Sequence, residues 1–327
     1  MHNFEQLYDF FSVQLEQERN SISDRKPENL YQPVVFTLDM GGKRLRPVLL
    51  LMAHELFSNE IENALPVAFA IEMFHNFTLL HDDIMDGAHL RRNHPTIHVK
   101  YSNNIAILSG DAMSILSYEY INQCKSPNYR EIFELFTQTA LKICEGQQYD
   151  MDFETRDDVS VDEYLYMIGL KTAILIAASL KLGALIANAP ESDACYLYDF
   201  GYNLGMAFQI QDDLLDTFGT TSDFGKRIGG DIISNKKTFL MLKALELAKS
   251  RQLEELKHLT SSTNFDAEKK IEKVKSIFNE LQIDSVAKAK MEEYYQLSLQ
   301  ALNAVNVSSD RKHELLHIAS RMMKRTS

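Results

Sequence analysis

Two stretches of the sequence collect carboxylates in the same pattern. In LLHDDIMD, Asp82, Asp83 and Asp86 close an apolar run, and in FQIQDDLLD the pattern returns as Asp212, Asp213 and Asp216. On a helix, a spacing of four residues sets Asp82 and Asp86 on one face, where their charges repel. Carboxylates at a helix C-terminus also meet the unfavourable end of the helix dipole. A cation removes both penalties. Hard oxygen ligands without cysteine favour Mg2+, which keeps several waters and bridges protein carboxylates to substrate phosphates. A single triplet is ordinary solvated surface. Two of them, each ending an apolar helix and facing each other, would form a carboxylate cage.

Cations come in small groups: Lys43, Arg44 and Arg46 in GGKRLRP, Arg91 and Arg92 in HLRRNHPT, Lys171 beside Thr172, Lys226 with Arg227, and Lys236 with Lys237. Together with the acids they describe a cleft in which metal and Lys/Arg jointly neutralise diphosphates. The elements that must position them are helices. Leu7, Phe11 and Leu15 lie at helical spacing, and a polar break over 21–33 reads as a loop. Helices are predicted over 47–57 and 66–86, each opened by a proline, the second closed by Gly87. Residues 87–96 read as a basic loop. Further helices are expected over 105–122, 129–155, 161–189 and 195–216, then a glycine-rich loop over 217–235 and amphipathic helices beyond 238. With no repeat and no sharp shift of composition, one domain over 1–327 is the simplest organisation.

The motifs GGKRLRP, LLHDDIMD, RRNHPT, EGQQYD, KT, FQIQDDLLD and GKRIGGD occur in the order found in trans-isoprenyl diphosphate synthases, and the chain resembles that polyprenyl synthetase family from Gly41 to Thr238. The resemblance implies an all-α fold, an antiparallel helical bundle around a deep central cavity, assembled as a homodimer. It implies that Asp82 and Asp86, and chiefly Asp212 of the second motif, hold Mg2+ on an allylic diphosphate. Arg91, Lys171, Lys226 and Lys236 would contact that diphosphate, and Lys43, Arg46, His75 and Arg92 would grip isopentenyl diphosphate. Thr172 and Gln209 would stabilise the allylic cation through their oxygens. The released diphosphate would take up the proton, so no side-chain base is expected.

Product length follows from the floor of the cavity. At about 100° per residue, Thr78 and His75 fall within about 40° of Asp82 on an ideal helix, Phe74 about 80° away and Phe77 about 140° away. Family experience places the floor at Phe77 and Thr78, whereas helix geometry favours Phe74 and Thr78. Either phenylalanine shortens the cavity, which points to a C20 product, with C15 next.

The bulk numbers agree with a globular helical enzyme. The 327 residues are 45% hydrophobic and 24% charged, and the formal net charge of -12 argues against a nucleic-acid partner. Cys124, Cys144 and Cys195 lack metal or redox spacing and read as free thiols of a reducing compartment. No basic segment leads into an apolar run at the N-terminus, and Lys181 interrupts the most apolar window, 173–189, so neither a signal peptide nor a transmembrane segment is expected. A cytoplasmic location follows. His81-Asp82 resembles the metal pair of HD phosphohydrolases, but His54, His75, His89, His94 and His98 form no paired ligand spacing. A class I terpene cyclase would carry Asn, Ser or Thr and Glu in its second metal motif, not Asp212-Asp213-x-x-Asp216. A catalytically silent subunit would have lost charged motif residues, and each is present.

Overall fold

The computed structural model describes residues 1–219, 228–261 and 266–324. The fold is all-α, as the composition predicts. Helices α1 (Phe4–Ser23), α2 (Glu28–Asp39), α3 (Leu45–Glu55) and α4 (Leu65–Met85) precede a two-stranded hairpin, β1 (Leu90–Arg91) and β2 (His94–Pro95). Helices α5 (Ile97–Lys100), α6 (Asn103–Ile121), α7 (Tyr129–Thr155), α8 (Val161–Ile168), α9 (Ile174–Ile186) and α10 (Glu191–Phe218) follow. Six more helices, the first at Gly230–Ile233 and the last at Ser309–Met323, complete the described chain. The chain divides into two compact units, one made of Met1–Ala140 with Ala178–Tyr198 and Ala304–Leu315, the other of Leu141–Ala177 with Asp199–Asn303 and the segment from Leu316.

In the first unit, α1 opens on a capping box: the Asn3 side chain accepts from the Gln6 amide and the Gln6 side chain answers the Asn3 amide. Its buried residues are Leu7, Phe11 and Leu15, the stripe predicted from spacing, and Ile22, which lies in the expected break. The polar break is shorter than expected, because α2 begins at Glu28 and carries Pro33 inside it. Burial of Pro33, Val34 and Leu38 offsets the backbone hydrogen bond that the proline removes. Helix α4 is the spine of this unit. Its residues 67–74 are all buried, and it lies along α6 and against α3. Phe136 of α7 meets Phe74 with ring centroids 5.5 Å apart and Tyr118 of α6 at 5.1 Å, both edge to face.

The core of the second unit gathers Phe153, Met167, Met206, Ile210, Phe239 and Phe278. The helix expected over 161–189 is not continuous: α8 gives way to a π turn over Gly169–Ala173, and α9 resumes at Ile174. Val161–Ile186 is long and apolar enough to cross a membrane by composition, but 83% of its apolar window is buried inside the protein, the character of a core helix. The aromatic cluster of the first unit makes a direct test. Phe136, 1% exposed, leaves a cavity beside Phe74 when cut back, so Phe136→Ala should lower stability by about 3–5 kcal/mol, read as a lower urea midpoint with the helical signal retained.

Candidate active site

Helix α4 delivers the first aspartate triplet and then turns sharply. Gly87 takes φ +60, its amide bonds the Ile84 carbonyl, and the Ala88 amide bonds the Asp83 carbonyl at 2.9 Å. This is a Schellman ending, which a residue with a Cβ would strain. The chain expected to be a loop becomes a hairpin whose register pairs Leu90 with Pro95 and Arg91 with His94. Arg92 and Asn93, at φ +52 and +63, form its two-residue turn, the backbone of a type I′ hairpin. Fully buried Thr96 pins the hairpin, donating its hydroxyl to the Ala88 carbonyl at 2.7 Å and its amide to the His89 carbonyl.

The hairpin brings Arg91 back onto Asp83. Its Nε lies 3.0 Å from Asp83 Oδ1 and its Nη2 2.5 Å from the same oxygen, while Asp82 Oδ2 is 3.9 Å from Nη2. Burial pushes the Asp83 carboxyl up, and Arg91 pulls it back. The three aspartates differ in this structure: Asp83 is buried on a guanidinium, while Asp82 is half-buried and Asp86 exposed.

Three of the residues expected to bind the second diphosphate also come together here. Arg46 Nη1 lies 3.2 Å from His75 Nε2, and Arg92 donates to the Gly41 carbonyl. Gly42, at φ +142, leaves the space that the Arg92 guanidinium fills, since a Cβ there would approach it to 2.7 Å. Burial and the positive field of Arg46, Arg92, Arg91 and Arg44 hold the His75 imidazole well below its usual range. A neutral histidine ringed by guanidinium groups marks a place suited to a polyanion. Lys43, the residue before Arg44, is exposed. A small pocket in this unit is lined by Asn76, Asp83, Arg91 and Arg92 among others. Of the candidate floor residues, Phe74 is buried between Phe77 at 5.3 Å and Phe136, whereas Phe77 and Thr78 are half-buried.

In the second unit the same device recurs. Asp213 is buried, accepting from the Tyr164 hydroxyl at 2.5 Å, from Gln209 Nε2 at 3.2 Å and from the Phe239 amide at 3.3 Å. Burial, with the Asp231 charge adding to it, raises its pKa to about 8 against the pull of those donors. Asp213 thus stands to its triplet as Asp83 does to the first. Asp212 and Asp216 remain half-buried, and Asp216 Oδ2 accepts from the Asp231 amide at 3.1 Å.

Thr172 and Gln209 are in contact: the threonine hydroxyl donates to Gln209 Oε1 at 3.0 Å. Lys171 Nζ lies 2.5 Å from Asp150 of the EGQQYD motif. Both Lys171 and Thr172 sit on the π turn, and two glycines let neighbouring helices close on it. A Cβ at Gly146 would come within 2.6 Å of the Lys171 amide, and one at Gly205 within 2.6 Å of the Ala173 backbone. π turns insert one extra residue per turn and rotate the side chains that follow. Lys236 and Lys237 line a second small pocket with Asp150, Phe153 and Glu154. The segment that carries them is held by Lys270, 1% exposed, whose Nζ donates to Asn235 Oδ1 at 2.5 Å. Lys226 and Arg227 lie outside the described residues.

Among the described residues no three His, Cys, Asp or Glu side chains converge as a metal site. Two carboxylates from one helix end are nonetheless a common protein share of a Mg2+ shell, the rest coming from water and phosphate oxygens. Glu72, Tyr164, Lys270 and the π turn are not found from the sequence. Only Glu72 leaves a trace there, as a lone acid in the apolar run 67–74, where burial demands a partner.

A helical protein with two aspartate triplets and two sets of cations is of the class that handles prenyl diphosphates. The sequence matches the Polyprenyl synthetase family over residues 27–281. It is 40% identical over 287 residues to a geranylgeranyl diphosphate synthase of Sulfolobus acidocaldarius, covering 86% of each chain. It is 36% identical over 311 residues to a short chain isoprenyl diphosphate synthase of Methanothermobacter thermautotrophicus, covering 95% of this chain and 94% of the other. A crystal structure of a geranylgeranyl pyrophosphate synthase superposes with a TM-score of 0.94 at 42% identity, covering the whole of both chains. The chain belongs to the polyprenyl synthetase family and is a prenyltransferase.

The depressed pKa of His75 has a measurable consequence. The unfolded chain takes up a proton as the pH falls through about 6.5, while the folded chain keeps His75 neutral. The stability that His75 contributes is thus complete above that pH and is lost progressively below it. Urea midpoints at pH 7.5 and pH 5.5 should differ, and the difference should shrink in His75→Gln.

Proposed function

We propose that the protein condenses isopentenyl diphosphate head-to-tail with an allylic diphosphate, giving a linear all-trans prenyl diphosphate and free diphosphate, with C20 the favoured product and C15 next. The observation that carries this reading is the duplication of the site. Each aspartate triplet commits its middle carboxylate to the protein, Asp83 to Arg91 and Asp213 to Tyr164, and each unit carries its own cations, Arg46 and Arg92 in the first and Lys171, paired with Asp150, in the second. A reaction with two diphosphate substrates uses both sets. A cyclase, which handles one, has no use for Lys43, Arg46 and Arg92.

In this reading Asp82 and Asp86 of one unit and Asp212 and Asp216 of the other hold Mg2+, and Asp83 and Asp213 do not. The ion, when bound, neutralises charge on the allylic diphosphate. Arg91, Lys171, Lys226 and Lys236 receive that diphosphate as its bond to carbon breaks, and fixed cations favour the charge it then carries. Lys43, Arg46, His75 and Arg92 hold isopentenyl diphosphate with its double bond toward the allylic carbon. The oxygens of Thr172 and Gln209 stabilise the cation, and apolar walls of a central cavity keep water from it. The departing diphosphate takes the proton that the adduct loses.

Phe77 and Thr78 form the floor, with Phe74 behind them as support. Their half-burial favours this order over the one suggested by ideal-helix geometry. Both compact units belong to one domain, and the protein works in the cytoplasm as a homodimer. Exposed Leu108 and Ile115 on α6, at 59% and 68%, offer an apolar stripe for the second copy. Sedimentation should give twice the chain mass, and Ile115→Asp should shift it toward the monomer.

The reaction itself is tested with purified protein, Mg2+, labelled isopentenyl diphosphate and, in turn, dimethylallyl, geranyl and farnesyl diphosphates. Products should stop at C20 or C15, and Phe77→Ala should lengthen them. Asp82→Ala and Asp212→Ala should each lower kcat by about a thousandfold or more with the fold retained. Full activity in either aspartate variant would sink the metal assignment, and no elongation from any primer would sink the reaction.

A further inference from the structure

Of the two arginines in the GGKRLRP segment, Arg44 is the one turned into the interior. Arg44 is 9% exposed, and its guanidinium forms an ion pair with Glu72, which is 2% exposed. A second donor of Arg44, Nη2, bonds the Leu38 carbonyl at 2.8 Å, tying down the last turn of α2. Asn76, 1% exposed, donates from Nδ2 to Glu72 Oε1 at 2.8 Å and to the Glu72 carbonyl at 2.8 Å. Arg44 also holds φ at +44, a conformation that a non-glycine residue keeps only where its surroundings impose it.

Buried ion pairs are often no more stabilising than apolar residues of the same volume, so their presence calls for a reason other than stability. Position supplies one. Lys43 precedes Arg44 by one residue and Arg46 follows it by two. Glu72 and Asn76 flank His75 on α4, and Arg46 contacts that histidine at 3.2 Å. The pair therefore joins the loop end that carries Lys43 and the first turn of α3 that carries Arg46 to the helix turn that carries the histidine. Glu72 also supports the charge of Arg92, which burial would otherwise lower further.

We infer that Arg44, Glu72 and Asn76 form a positioning brace for the isopentenyl diphosphate subsite, touching no substrate but fixing the distances among Lys43, Arg46 and His75. This rests on the functional reading above. A brace of this kind acts on one substrate. Displacing the loop by about 1 Å weakens the grip on isopentenyl diphosphate and leaves the allylic diphosphate, held by other residues, unaffected.

The test uses the full chain, the single variant Glu72→Gln, which keeps an acceptor for Arg44 and Asn76, and the double variant Arg44→Met/Glu72→Met, which keeps the volume apolar. Thermal midpoints, equilibrium binding of isopentenyl diphosphate alone, and steady-state constants for each substrate are measured. The double variant should melt near the wild type, yet bind isopentenyl diphosphate about tenfold to a hundredfold more weakly, with KM for that substrate raised to match. Its KM for the allylic substrate and its kcat should stay within about threefold. The single variant should fall between. Unchanged binding in folded variants, or equal loss for both substrates, overturns the brace. If the wild-type protein fails to bind isopentenyl diphosphate at all, the functional reading falls and the brace with it.

Discussion

Crowding of like charge is the constraint that organises this protein. Three carboxylates within one helical turn repel, and so do four arginines around one histidine. The chain relieves both by giving one member of each group to the interior. Asp83 is turned onto Arg91 and Asp213 onto Tyr164 and a backbone amide, while Arg44 is turned onto Glu72. What remains toward solvent is a smaller set of charges whose mutual repulsion is an affinity for counter-ions. The folding problem and the binding problem are thus one electrostatic problem, divided by which side chain faces inward.

Much of this is open to reading from residue types. The apolar stripe of α1, the proline that opens α4, the glycine that closes it and the extent of α7 all follow from local rules, and they agree with the structure. The family resemblance, and no local rule, groups Thr172 with Gln209 and Arg46 with His75, and each pair is in contact. What the sequence leaves unread has a common cause. Spacing shows which residues share a helical face, but not which neighbour is buried: the acid pattern looks uniform and groups Asp83 with Asp82 and Asp86, although a step of about 100° carries it toward the core. Pro33 reads as a break because proline propensity is local, whereas α2 is held by tertiary burial.

The π turn has no signature in the sequence. GLKTA has no composition that separates it from the apolar helix around it, and its cause lies elsewhere, in the closeness that Gly146 and Gly205 allow. Helix regularity is given up at the two residues expected to meet the substrate, and the hairpin turn and the Arg44 backbone show the same departure in the first unit. Regular structure supplies the frame, and the local irregularities aim the side chains.

Arg44 and Arg92 both hold a positive φ, where glycine would be at ease. Anyone seeking a hardier form of this protein by the usual route of relaxing left-handed residues would select these two positions first. Replacing them with glycine would ease the backbone and remove the guanidinium groups for which the strained conformation is kept. Heat resistance in such a fold is better sought in the outer faces of the later helices, since glycine at these two positions would also leave Glu72 and the Gly41 carbonyl without their guanidinium donors.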